Sequence, residues 1–214
     1  MRNVVSLERR QVAPPEWLSG CRAGDPSAIG RMFEEMLPII ERVMMRLIGP
    51  NADLEDLAQV TFTEAIRALP RFRGDASFKT WLISIAVHVA QHHLRAGRLR
   101  KTVALELVPE ERISDGPHDP EGRLDGRKLG RRLYALLDRI SPAKRVALVL
   151  FAVEGRPVEE VAALMGASQS TTRSRVFFAR RELRSLIAAD PELTELASDM
   201  LGDQMPPPRE AEES

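Results

Sequence analysis

Val158-Glu-Glu-Val-Ala-Ala-Leu-Met-Gly-Ala-Ser-Gln-Ser-Thr-Thr-Arg-Ser-Arg-Val176 is the stretch whose reading decides the fold. Val158, Val161, Ala162 and Leu164 recur at helical spacing and form the inner face of a short helix. Ala162 is small where a second helix must cross closely. Gly166 permits the positive φ of a tight turn, and Ser168 is placed to cap the second helix. That helix opens on short polar residues, Gln169, Ser170, Thr171 and Thr172, and then brings Arg173, Ser174 and Arg175. This is helix-turn-helix grammar. Short side chains let the first turn enter a major groove, and arginines take guanine edges or phosphates. The other reading is a plain three-helix packing unit with a solvated basic face. Spacing and composition together favour DNA binding.

Outward from this stretch the helical signals continue. Upstream, Ser141-Pro142 is a cap followed by proline at the first helical position, leading into Val146 to Val153. A helical pattern also covers Leu129 to Arg139. Downstream, the basic helix runs from about Gln169 to Ala188. Phe177 and Phe178 adjoin on it, so both cannot face the core of one helix pair. Residues 102–126 lose periodicity and hold Pro109, Gly116, Pro117, Pro120, Gly122 and Gly126 among many acids, which reads as a flexible linker.

The N-terminal half carries the same kind of helix start and stop signals. Pro15 opens a short helix closed by Gly24. Asp25-Pro26 is another cap-plus-proline start, followed by an amphipathic run from Ile29 to Met44. Pro38 should kink or split that run, and Gly49-Pro50 stops it. Asn51 or Asp53 starts the next helix, which Pro70 ends. Ser77 then caps a long helix with Phe78, Trp81, Leu82, Ile85, Val89 and Leu94 on one side. No stretch alternates with period two. The expected fold is all-α, with two small helical domains joined by a flexible linker. The divisions are an extension over 1–14, a first domain over 15–101, an acidic linker over 102–128, a second domain over 129–189 and an acidic tail over 190–214, with disorder expected in the last ten residues.

Of 214 residues, 31 are Lys or Arg and 31 are Asp or Glu. A net charge of zero argues at first against a nucleic-acid binder. Distribution reverses that argument. Residues 64–101, 127–148 and 167–189 carry +6, +6 and +4, while 51–63, 102–126 and 190–214 carry −3, −5 and −7. Three basic blocks separated by acidic ones are more than a chance clustering of surface charge. The single cysteine, Cys21, excludes a disulfide framework or a Cys-rich zinc site and reads as a buried small residue. No apolar run reaches membrane-spanning length, and Met1 to Arg10 has no apolar stretch behind its charges. A reduced, soluble, cytoplasmic protein is expected, with no membrane insertion.

Asp53, Glu55, Asp56 and Gln59 share a polar helix face, which alone would be a solvated helix start where acids suit the dipole. The exposed side of the long helix is expected to hold Lys79, Ser84, His88, Gln91, His92 and Arg95, a weakly basic face suited to nucleic-acid backbone. His88 and His92 have metal-ligand spacing but lack a Glu partner, so neither metal nor cofactor is expected. No nucleophile–base set is present, and an enzyme is not expected. Phe78 and Trp81 lie at core spacing.

Two stretches resemble a known family. Asp53-Leu-Glu-Asp-Leu-Ala-Gln59, Phe62, Ala68-Leu-Pro-Arg-Phe-Arg-Gly-Asp-Ala-Ser-Phe-Lys-Thr-Trp-Leu82 and Ile85-Ala86 resemble region 2 of bacterial RNA polymerase sigma factors of the extracytoplasmic-function (ECF) type, in the sigma-70 family. Leu137 to Leu186, with Gly155, Glu159-Glu160-Val-Ala, Leu164, Gly166 and Thr171 through Arg175, resembles region 4. The resemblance implies a transcription initiation factor that binds core RNA polymerase (β′ and β subunits) and directs it to specific promoters. It implies core polymerase binding by Asp53, Glu55, Asp56 and Gln59. It implies contact with the −10 element, with flipped bases held, by Phe72, Arg73, Gly74, Asp75, Ser77 and the helix face Lys79, Ser84, His88, Gln91, His92 and Arg95. It implies −35 recognition by Ser168, Gln169, Ser170, Thr171, Arg173, Ser174 and Arg175, a linker threading toward the polymerase channel, and an anti-sigma factor as partner. The chain departs from the family pattern at Val60, His88, His92 and Phe178. The alternative is a stand-alone helix-turn-helix DNA-binding transcriptional regulator, which leaves the Asp53 to Gln59 motif without a purpose.

Overall fold

The computed structural model describes residues 15–104 and 130–190. The first domain contains α1 (Leu18–Ala23), α2 (Pro26–Ile48), α3 (Leu54–Ala68), a 3₁₀ turn (Leu69–Arg71) and α4 (Phe78–Ala104). The second contains α5, described over 130–137, α6 (Pro142–Leu148), a π-helical turn (Val149–Val153), α7 (Val158–Leu164) and α8 (Gln169–Ala188). Among the described residues there is no strand. The all-α, two-domain architecture is as the sequence predicts. The extension, most of the linker and the tail after Asp190 lie outside the described residues, and with them the flexibility expected of the linker and the disorder expected of the last ten residues.

The boundaries follow local chemistry. The Asp25 carboxylate accepts from the Ser27 amide at 3.0 Å, and Pro26 opens α2. Gly24 closes α1 at φ 77° and donates back to Cys21 O. Ser77 Oγ accepts from the Thr80 amide at 3.1 Å and starts α4. Asn51 Oδ1 accepts from the Asp53 amide at 2.9 Å ahead of α3. Pro38 does not split its helix, because α2 runs unbroken through it for 23 residues. Both Pro38 and Glu34, whose carbonyl the missing N–H leaves unpaired, lie on the exposed side of α2, where water can serve that carbonyl. α4 extends to Ala104, slightly into the stretch expected to be linker.

Met32, Ile40, Met44 and Leu47 of α2 pack with Ala58 and Phe62 of α3 and with Leu82, Ile83, Ala86 and Val87 of α4. Each large aliphatic side chain buried this way contributes about 1.5–3 kcal/mol. Within the same core, Trp17, Phe72, Phe78 and Trp81 form an aromatic knot. Trp17 meets Phe78 edge-on at 4.8 Å, and Phe72 lies 5.7 Å from Phe78 and 4.9 Å from Trp81.

The two domains touch, and a feature invisible in either half joins them. The last four carbonyls of a helix lack partners inside it. At the end of α2, Tyr134 Oη donates to Met45 O and Arg46 O, both at 3.2 Å. Arg145 donates from Nε to Leu47 O at 2.9 Å and from Nη2 to Ile48 O at 2.7 Å. With the Gly49 amide, which donates to Met45 O at 2.8 Å, these side chains of the second domain close the last turn of α2, with a cation where the helix dipole is negative. Arg145 is 1% exposed and also pairs with Asp138. Gly49, at φ 85°, lies so close to Tyr134 that a Cβ there would meet the ring at 2.6 Å. Arg46 pairs with Glu154 across the same seam.

Candidate nucleic-acid interface

α7 and α8 are linked by Gly166, at φ 59°, and Ala167, whose amide donates to Ala162 O at 2.9 Å. Ser168 caps α8: its Oγ accepts from the Thr171 amide at 3.1 Å. The first turns of α8 then sort by face. Thr172 and Val176 are fully buried, and Thr172 Oγ1 donates to Ser168 O at 2.9 Å. Ser168, Ser170, Thr171 and Arg173 are exposed, while Gln169, Ser174 and Arg175 are partly so. Arg173 lies 3.7 Å from Glu159, so one acid of α7 orients a base of α8. Arg156 pairs with Glu160. Phe177 is half-buried and Phe178 is 46% exposed, which resolves the adjacency problem by leaving one ring in solvent.

On the first domain, Asp53, Glu55, Asp56 and Gln59 are all exposed along α3. Val60 adjoins them at 46% exposure. A shallow groove between α3 and α4 runs beside them, lined by Leu57, Val60, Ile85, His88, His92 and His93. The candidate −10 residues divide. Arg73, Gly74 and Asp75 are exposed in the turn before α4, with Gly74 at φ 78° and Arg73 Nε 3.2 Å from Asp75. Lys79, His88, His92 and Arg95 are exposed on α4, and Ser77 and Ser84 are partly buried.

Two of these residues are not where they were expected. Gln91 is 6% exposed and lies within the packing rather than on the open face. Its Oε1 accepts from Arg95 Nη2 at 3.2 Å, so it acts on that surface only through Arg95. Gln91 sits at the edge of the polar arc of α4, where periodicity alone does not separate inside from outside. Phe72 is 9% exposed with its ring in the aromatic knot, so it anchors the turn and offers no open stacking face.

The histidines line one groove, but the contacts of His88 and His93 run to different neighbours. His88 Nδ1 is 2.6 Å from Ser84 O, while His93 Nε2 lies 3.4 Å from Asn51 Nδ2 and 3.9 Å from Asp53. Among the described residues, no group of three metal-binding side chains comes together.

The sequence reading missed Arg145 and Tyr134. Both lie in a basic, apolar stretch with no motif, and their bonds to the end of α2 reach across 88 to 98 positions of chain.

The model of Sigma-70 region 2 matches residues 32–100, and that of Sigma-70, region 4 matches residues 130–183. The ECF RNA polymerase sigma-E factor of Salmonella typhimurium is 30% identical over 166 residues, covering 75% of this chain and 86% of that protein. The ECF RNA polymerase sigma factor SigE of Mycolicibacterium smegmatis is 33% identical over 151 residues, 70% of this chain and 57% of that protein. A solved structure of CnrH in complex with the cytosolic domain of CnrY has the same fold at TM-score 0.55, with 24% identity over 81% of this chain and 96% of that one. The two region matches and the 30% identical relative together define a sigma-70-family transcription initiation factor. Within that class the chain belongs to the ECF sigma factors, which direct RNA polymerase to promoters.

Proposed function

We propose that this protein binds core RNA polymerase through Asp53, Glu55, Asp56 and Gln59, reads a −35 element with the first turns of α8, and engages a −10 element through the turn 73–77 and α4. It acts in the cytoplasm, catalyses no bond chemistry, and is held in check by an anti-sigma factor. The observation that carries this reading is the sorting of α8. Ser170, Thr171 and Arg173 stand in solvent while Thr172 and Val176 lock the same turn inward, the arrangement that presents a helix start to a major groove. The exposed acids of α3 supply a second, oppositely charged surface, which a stand-alone operator binder would not need.

Opening DNA costs a few kcal/mol per extruded base, and capture returns roughly 1–3 kcal/mol per stacked base. Two modest domains therefore gain their effect when both are held on polymerase. The test is a pair of charge reversals. Asp53→Arg with Asp56→Arg should lower core polymerase affinity about tenfold or more and leave duplex −35 binding intact. Arg173→Glu with Arg175→Glu should do the reverse. If the second pair leaves promoter-directed transcription unchanged, α8 does not read DNA and the proposal fails.

A further inference from the structure

The turn between the 3₁₀ segment and α4 is fixed at both ends and exposed between them. At its far end Ser77 caps α4. At its near end every group of Phe72 is engaged. Its amide donates to Leu69 O at 3.1 Å, its ring is held by Phe78 and Trp81, and its carbonyl accepts from Arg22 Nη2 at 2.6 Å. Arg22 lies 50 positions earlier, in the last turn of α1. Residues 73–76 between these anchors are exposed, and Gly74 turns the chain at φ 78°.

A guanidinium on a carbonyl is a charge-assisted bond, shorter and stronger than a neutral one. It fixes the direction in which the chain leaves Phe72 and therefore where Arg73 and Asp75 stand. α1 is itself pinned to the same knot. The Trp17 ring packs edge-on against Phe78, and its Nε1 donates to Glu35 at 2.9 Å. α1 precedes residue 32, where the region 2 match begins.

We propose that Arg22 is a positioning residue for −10 recognition: from outside the matched region it holds the Phe72 carbonyl and so sets the geometry of the turn that meets the extruded −10 bases. This inference rests on the reading of residues 73–77 as the −10 turn. A turn held within a few tenths of an ångström can discriminate between bases, whereas a loose one binds them with less preference. Arg22 is exposed, so its replacement leaves the apolar core of the domain intact.

The experiment uses full-length protein reconstituted with core polymerase. The probes are single-stranded 12-nucleotide DNAs carrying the −10 sequence of a promoter mapped from transcript 5′ ends, each with one position varied through the four bases. Arg22→Ala is expected to keep core affinity and melting temperature, and to cut the preference for the correct base over the wrong ones about tenfold. Arg22→Lys, which keeps a charged donor but not the planar fork, should restore part of that preference. Unchanged discrimination in Arg22→Ala overturns the proposal, as does a loss that simply tracks a lower melting temperature. If the wild-type holoenzyme itself shows no base preference on these probes, the −10 reading of the turn has failed, and the Arg22 proposal falls with it.

Discussion

Arg145 shows how much one side chain can hold. It is buried, it bonds Asp138, and it closes two carbonyls at the end of a helix from the other domain. Removing it strands those acceptors away from water, the circumstance in which a lost partner costs most. Arg145→Ala is therefore expected to lower unfolding stability by about 2–5 kcal/mol, from two stranded carbonyls at about 1–3 kcal/mol each, measured by urea titration. Tyr134→Phe, which removes only the hydroxyl donor, should cost about 1 kcal/mol. Cys21 gives an independent check on packing. Burial, reinforced by Asp25, pushes its thiol above the ordinary cysteine range. A raised pKa means less thiolate at pH 8, so alkylation of the native protein should be many times slower than alkylation in denaturant. Equal rates would show that α1 is not packed as described.

The elements were the most legible level of the sequence. Caps and prolines at Asp25-Pro26, Ser77, Ser141-Pro142 and Ser168 mark helix starts that the structure reproduces. They do so because a helix start needs a local acceptor and a fixed φ, both visible in two residues. Ser141 is the partial exception: it stands at the start of α6 but makes no side-chain cap bond. The features that misled were those set by tertiary surroundings. Pro38 is tolerated because of the side of α2 it lies on, Gln91 is buried by what α4 packs against, and Phe72 is drawn into a knot that includes Trp17. None of these is settled within a few residues of chain. At this scale Ser168→Ala should cost about 1 kcal/mol of helix stability. It should also weaken binding to −35 duplex, because the same cap sets the first turn that enters the groove.

At the scale of the molecule the zero net charge dissolves into surfaces. The acids of α3 are exposed on one domain and the bases of α8 on the other, as the charge blocks suggested. The contact between the domains was not legible, since it depends on the last turn of α2 meeting Tyr134 and Arg145 from some 90 residues away. It also has a consequence. A Cβ on Gly166 would lie 3.9 Å from His88 Nε2, so the helix-turn-helix turn and the α4 face are neighbours here. By their positions, −10 and −35 elements are centred ~25 base pairs apart, roughly 85 Å at the rise of duplex DNA. Engaging both requires the domains to part. Energy transfer between dyes on exposed positions of α2 and α8 should be high in the free protein and fall on promoter-bound holoenzyme. Unchanged transfer would contradict that separation.

The central claim is that this chain carries promoter choice to polymerase, and run-off transcription with purified core enzyme tests it most directly. Core polymerase plus this protein should initiate at discrete genomic promoters that core alone ignores, and charge reversal at Asp53 with Asp56, or at Arg173 with Arg175, should abolish those transcripts. Failure to bind core and to direct initiation at any promoter would contradict the account.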